Sequence, residues 1–284
     1  MPDKARVTVY INPTTSQQFR DVAGYRLADG SPAIDVVCLF AANYAASEQP
    51  YLRANNDDPP TTNPFNQNIQ TVLEDGSVDY LRGQGLTVLL TITNGLHSVG
   101  WSQFTLEKDA EAFAQYLQSD IVEKYRLSGI DIDDEYSKGD PNDTSLVMVT
   151  TKMRSRMPEI VISKALFADA GPFAATWNGH TLAQNLSYGA EMSYWEQAQY
   201  RLPPYTSGRP AANCLAPSQV SCGFWANQSS DPDGDVKWLK DKEHRYAGVM
   251  VFGFEDQANV DLTERLVNDW YGPGNWNVVS RRGR

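Results

Sequence analysis

The chain has 284 residues, with 35 Asp and Glu against 24 Lys and Arg, a formal net charge of −11. Such an acid excess lacks the basic field that draws proteins onto phosphate backbones or anionic bilayers, which excludes nucleic acid and membrane as partners. At 41% hydrophobic and 21% charged residues the composition is that of a globular protein, and a fold of this size buries roughly 75% of its unfolded surface. The longest apolar run, Val36–Ala42, is far short of the roughly 20 residues a membrane helix needs. The start, Met1-Pro2-Asp3-Lys4, has no apolar signal region, so the chain is expected to be either cytoplasmic or secreted with a signal peptide already removed. Sequons at Asn142, Asn185 and Asn227 hint at secretion, although such triplets also arise by chance.

In chain order, the hydrophobic pattern predicts strands over Arg6–Ile11, Ala33–Phe40, Leu86–Thr93, Gly129–Asp133, Ile160–Leu166, Ala190–Tyr194, Ser221–Trp225 and Ala247–Phe254. Between the third and fourth, Thr105 is placed to cap a helix in which Phe113, Leu117, Ile121 and Tyr125 recur every four residues. A second helix opens at Asp143, with Leu146, Thr150 and Met153 on one face, and stops before Pro158. Near the end, Asp261 and Glu264 have capping-box spacing and Gly272 stands where a helix would close. The Pro-, Asn- and Thr-rich stretches Asn55–Asn66 and Pro203–Ser218 are expected as long loops on the face where strands end.

Eight strands alternating with helices, several of them continuously apolar, predict an α/β fold of (β/α)8 barrel type, with room for irregular or shortened helices. A doubly wound parallel sheet is the alternative. No linker marks a boundary, so residues 1–284 are read as a single catalytic domain, with a monomer as the default state. Neither GxGxxG nor GxxxxGK[ST] follows a strand, which removes a nucleotide site. Of three cysteines, Cys38 sits in the apolar run as a small buried hydrophobe; Cys214 and Cys222 are either bridged or free.

The most informative segment is Gly129-Ile130-Asp131-Ile132-Asp133-Asp134-Glu135-Tyr136. On a strand, Asp131, Asp133 and Glu135 share one face and the isoleucines the other. In a barrel the isoleucines go under the helices and the acids point inward, at the end where active sites form. Successive carboxylates on that face lie roughly 6.6 Å apart. At an effective dielectric of about 20, two such charges repel by about 2.5 kcal/mol, so one proton is held within the set, as a general acid requires. A solvated acidic loop without a role conflicts with the regular isoleucine alternation. A Mg²⁺ or Ca²⁺ site is the rival use of clustered carboxylates. Zinc is disfavoured because His97, His180 and His244 have no ligand spacing, and no metal or cofactor is expected.

The run Gly129 to Glu135 resembles the DGxDxDxE signature of glycoside hydrolase family 18, with Ser128 in place of the first aspartate. Tyr136 and Pro141-Asn142-Asp143-Thr144-Ser145 are similar to the endo H type of endo-β-N-acetylglucosaminidase within that family; Leu27-Ala28-Asp29-Gly30, Phe40-Ala41-Ala42-Asn43 and Val88-Leu89-Leu90 extend the likeness. It covers most of the chain as far as Gly272 and is weakest between Tyr200 and Ser218. The resemblance implies a (β/α)8 barrel and a retaining, substrate-assisted hydrolysis without cofactor. In it Glu135 protonates the glycosidic oxygen and later activates water, Asp133 orients the 2-acetamido group and stabilises the oxazolinium, and Asp131 adjusts the charge of Asp133.

The same resemblance gives Met192-Ser193-Tyr194 as the Met-x-Tyr of the sixth strand, with the Tyr194 hydroxyl holding the acetamido carbonyl. Without the acidic strand, a tyrosine at a strand end would be read as packing. Glu191 stands where many members carry Gln or Trp and is expected to add a carboxylate to the pocket. Trp195, Tyr10, Phe40 and Phe252 are expected to supply flat apolar surface to sugar rings, with Trp225 and Phe254 equally able to be core. Phe252 in place of the eighth-strand Trp, and Thr93-Asn94-Gly95 in place of SxGG, weaken a chitinase reading. The implied substrate is the GlcNAcβ1-4GlcNAc core of N-linked glycans, and some relatives transfer the released glycan to an acceptor sugar. A chitinase and a catalytically silent carbohydrate-binding relative are the alternatives.

Overall fold

A computed structural model describes residues 6–44, 52–53, 65–93, 100–134, 142–167, 170–241 and 245–279. Eight strands form its centre: β1 (Arg6–Ile11), β2 (Val36–Tyr44), β3 (Thr87–Thr93), β4 (Gly129–Asp133), β5 (Val161–Leu166), β6 (Tyr188–Glu191), β7 (Val220–Phe224) and β8 (Gly248–Val251). Each pairs in parallel with the next, and β1 pairs with both β2 and β8, through Tyr10 beside Cys38 and Thr8 beside Met250. That last pairing closes the sheet. The fold is the expected (β/α)8 barrel, and the doubly wound alternative, which leaves two edges, is excluded.

Alternation along the strands separates two apolar layers. Val7, Val9, Ile11, Val37, Leu39, Val88, Leu90, Ile130 and Ile132 face outward into the core beneath the helices. Tyr10, Val36, Cys38, Leu89, Ala165, Tyr188, Ala190, Met192 and Met250 fill the barrel.

The helix after β3 runs from Glu107 to Tyr116 and continues as a π-helical stretch over Leu117–Glu123. The wider turn has a physical reason. A strict four-residue repeat outpaces the 3.6-residue α-helix, and i→i+5 bonding keeps the repeat on one face. Phe113, Leu117, Ile121 and Tyr125 are all buried. Thr105 does not cap this helix; Leu106 holds the cap position and makes no side-chain cap. The helix Asp143–Arg156 begins as expected, with Asn142 accepting from the Thr144 N–H.

Three further expectations are corrected, and the state of two cysteines is decided. The strand expected over Ala190–Tyr194 is displaced to Tyr188–Glu191, because the Tyr194 N–H turns back onto the Met192 carbonyl at 2.9 Å and peels the chain off the sheet. The last helix begins at Gln257, with Asp256 as cap, so Asp261 and Glu264 lie inside it; Gly272, at φ 89°, does close it. Cys214 and Cys222 are free thiols. Pro203–Ser218 is folded into short turns, a helix over Pro203–Thr206 and a 3-10 turn over Ala211–Asn213, with another beginning at Pro217. Most of Asn55–Asn66 lies outside the described residues; Asn66 caps the helix Gln67–Glu74 by accepting from the Ile69 N–H.

Gly129 opens the acidic strand where a Cβ would lie 1.9 Å from the Val161 carbonyl oxygen on β5. Backbone cannot yield there as a flexible side chain would. Gly129→Ala is therefore expected to lower stability by about 3 kcal/mol, the upper part of the range for overpacking. A chemical-denaturation midpoint unchanged from wild type would contradict the packing described here.

Candidate active site

β4 presents its two aspartates to the barrel interior. Asp131 is fully buried, and strand register places Thr91 of β3 and Ser163 of β5 on either side of it. The Thr91 hydroxyl donates to one carboxylate oxygen at 3.0 Å and the Ser163 hydroxyl to the other. Burial raises the Asp131 carboxyl above the usual carboxylate range, against the hydrogen bonds of Ser163, Tyr10 and Thr91 and the charge of Lys164. Tyr10 lies beneath, with its hydroxyl pushed well up by burial and then by the Asp131 charge. The Cys38 thiol, beside the Tyr10 and Tyr188 hydroxyls, is raised for the same two reasons.

Asp133 stands one step further along the same face, only 2% exposed and beside Thr93 of β3, whose hydroxyl donates to the Asn43 side chain at 2.7 Å. Asp134 leaves the row and accepts from the Ser102 hydroxyl. The Ser102 carbonyl accepts the Asn142 N–H at 2.6 Å, so one residue of the Gly100–Phe104 turn fastens both Asp134 and Asn142. Glu135, Tyr136, His97 and His244 lie outside the described residues.

Above the aspartates, rings from four strands form an arc. Phe40 of β2 meets Phe252, just past β8, edge to face at 5.2 Å between centroids; Phe252 meets Trp225 at 5.6 Å, and Trp225 meets Tyr194 at 5.9 Å. Tyr10 supports Phe40 and Phe252 from below at 6.4 and 6.1 Å. Tyr10 is 1% exposed, so it underlies the pocket floor rather than lining its surface, while Phe40, Trp225 and Phe252 are partly open. Phe254 belongs to the outer layer, packed edge to face on Tyr25.

The Tyr194 hydroxyl donates to the Met192 sulfur at 3.1 Å, which ties the two side chains of the turn together. Trp195 is 57% exposed beside it. Glu191 is not placed as expected. It faces away from the barrel interior, where Arg201 donates to it at 2.7 Å with both side chains buried. Two residues of the site escape sequence reading, since Thr91 and Ser163 look like ordinary strand residues until the register is known; Trp225, equally able to be core by sequence, joins the arc of rings. Among the described residues no group of three or more His, Cys, Asp or Glu is arranged to hold a metal.

The fold is a closed (β/α)8 barrel, and its fourth strand sets Asp131 and Asp133 in the interior. The catalytic domain of a family GH18 chitinase from the fern Peteris ryukyuensis superposes with a TM-score of 0.63 at 17% identity, over 93% of this chain and 99% of that one. EndoBT-3987 of Bacteroides thetaiotamicron, solved with Man5GlcNAc product, superposes with a TM-score of 0.72 at 18% identity over 97% of this chain. The present chain spans 62% of that protein's length. In sequence, an endo-beta-N-acetylglucosaminidase of Flavobacterium sp. (strain SK1022) is 28% identical over 245 residues, 78% of this chain and 74% of its own. No established family profile matches the chain. The resemblance read from the acidic strand is borne out: the sequence relative is an endo-β-N-acetylglucosaminidase, and the structural neighbours include such enzymes and chitinases.

An acid whose pKa is raised by folding adds stability that is full below its unfolded pKa and is lost as pH rises through its folded pKa. Asp131→Asn has no proton to lose. The melting temperature of wild type minus that of Asp131→Asn is therefore expected to fall as pH is raised past about 4, the ordinary carboxylate pKa. Thermal scans in which that difference grows with pH would contradict the burial effect.

Proposed function

We propose that the chain is an endo-β-N-acetylglucosaminidase that cuts the GlcNAcβ1-4GlcNAc core of N-linked glycans and leaves one GlcNAc on the protein. The observation that carries the reading is the inward row Asp131–Asp133, enclosed below an arc of aromatic rings and beside the Met192–Tyr194 turn. A pocket of that make-up suits an N-acetyl sugar. Flat rings accept apolar sugar faces, and the Tyr194 hydroxyl, placed beside them by the Met192–Tyr194 turn, is the group that would donate to the acetamido carbonyl.

The chemistry follows from charge. The acetamido oxygen closes on the anomeric carbon while Glu135 protonates the leaving oxygen, so no enzyme carboxylate bonds to the sugar. The ring formed carries positive charge, which the Asp133 carboxylate stabilises in a site screened from water. Asp131, held by two hydroxyls, supports Asp133 from one step down the strand. Water activated by Glu135 opens the ring, and two inversions retain the configuration.

The barrel alone does not choose between glycan and chitin, since a chitinase shares it. The N-glycan reading is favoured by the Flavobacterium relative, an endo-beta-N-acetylglucosaminidase.

Incubation with a high-mannose glycoprotein is expected to remove the glycan and leave a single GlcNAc, read by mass, with little release from chito-oligosaccharides; the reverse preference would make the enzyme a chitinase. Glu135→Gln should lower turnover by about 10²- to 10⁴-fold, the usual contribution of a general acid, with the fold unchanged. Asp133→Asn should lose hydrolysis of the glycan yet still consume a synthetic oxazoline donor. Near-normal turnover in either variant would remove that residue from the mechanism.

A further inference from the structure

Behind the turn that carries Tyr194 lies a buried ionic cluster that the proposed chemistry does not use. The Glu191 carboxylate spends its two oxygens in different directions: one accepts the Ser193 N–H at 3.0 Å, the other accepts Arg201 at 2.7 Å. The second arm of the Arg201 guanidinium donates to the Gly223 carbonyl of β7 at 2.8 Å and lies 3.5 Å from Asp235. Asp235 in turn accepts the Ala198 N–H at 2.8 Å. Arg201 thus ties the end of β6, the middle of β7 and the helix Pro232–Leu239 to one point.

On the barrel side of the same spot stands the Tyr194 ring. A Cβ built on Gly223 would be 3.0 Å from the ring carbon Cε1, so the ring rests directly on the glycine whose carbonyl Arg201 holds from the other side. We propose that Glu191 and Arg201 are positioning residues for Tyr194, fixing the Ser193 backbone and the β7 surface against which its ring is seated. This rests on the function proposed above, in which the Tyr194 hydroxyl holds the acetamido group.

The choice of a charged pair is itself informative. A buried ion pair is commonly no more stabilising than apolar residues of the same volume. An apolar residue at 191, however, would leave the Ser193 N–H and one arm of the Arg201 guanidinium without their side-chain acceptor, and glutamine has one acceptor oxygen where two are used. Only a carboxylate serves both donors at once. The pair therefore specifies a geometry, and the geometry it specifies is that of the turn.

The test is a double-mutant cycle on glycopeptide hydrolysis with Glu191→Gln, Tyr194→Phe and the combination. Glu191→Gln is expected to lower kcat by about 10-fold or more through misplacement, with a far smaller change in KM. In the Tyr194→Phe background the same substitution should cost less than about 3-fold, because the hydroxyl it positions is already gone. Equal losses in both backgrounds, or an unchanged kcat in Glu191→Gln, overturn the inference. Should Glu191→Gln not fold, Arg201→Lys passes through the same cycle, since an ammonium cannot reproduce the fork that joins Glu191 to Gly223. A wild type inactive on glycopeptide removes the proposed function and this inference together; an active wild type with equal losses removes the inference alone.

Discussion

A carboxylate enclosed in the barrel sets the terms for the rest of this molecule. Asp131 has no access to water, and an ionised group in that position is tolerable only where the surrounding structure supplies donors. Those donors are hydroxyls on the two flanking strands, Thr91 and Ser163, and each reaches a different oxygen. The arrangement holds only in one register. A slip of one residue on β3 or β5 would turn the hydroxyl to the helix layer and bring Leu90, Ile92, Ile162 or Lys164 to the acid in its place, so the hydrogen bonds and the strand alignment specify each other. Asp133, the next inward residue, inherits its place from that alignment.

Around this row the barrel is divided by function between its two faces. Inside, the rings of Phe40, Phe252, Trp225 and Tyr194 meet edge to face from strand ends, an arrangement that suits their charge distribution and leaves the first three partly open. Outside, polar groups fasten what the inside needs held still. Ser102 grips both Asp134 and Asn142, and Arg201 joins the end of β6 to Gly223 within β7. Glycine makes both close approaches feasible: at 129 a side chain would strike the Val161 carbonyl, and at 223 the Glu191 carbonyl.

The comparisons weigh differently on fold and on activity. Structural neighbours at 17% and 18% identity, one a chitinase and one solved with an N-glycan product, share the barrel and therefore do not separate the two substrates. The separation has to come from side chains at the strand ends.

The sequence by itself determined the number of strands and, the sixth apart, their places, the face on which Asp131 and Asp133 point, and the aromatic ends of β2 and β8, because a two-residue alternation and an apolar run are local properties of a strand. Glu191 was expected in the pocket, although alternation with Met192 assigns it to the opposite face, and the arginine ten residues on that holds it there was not legible. The Thr105 and Asp261 caps failed because capping depends on where the backbone leaves the helix, which packing against the barrel decides. Only the tertiary structure brought Thr91 and Ser163 to Asp131, Trp225 to Tyr194, and Arg201 to Glu191 and Gly223. Each of those contacts joins side chains through the register of neighbouring strands or a chain reversal, and neither is written in the spacing of residues along one strand.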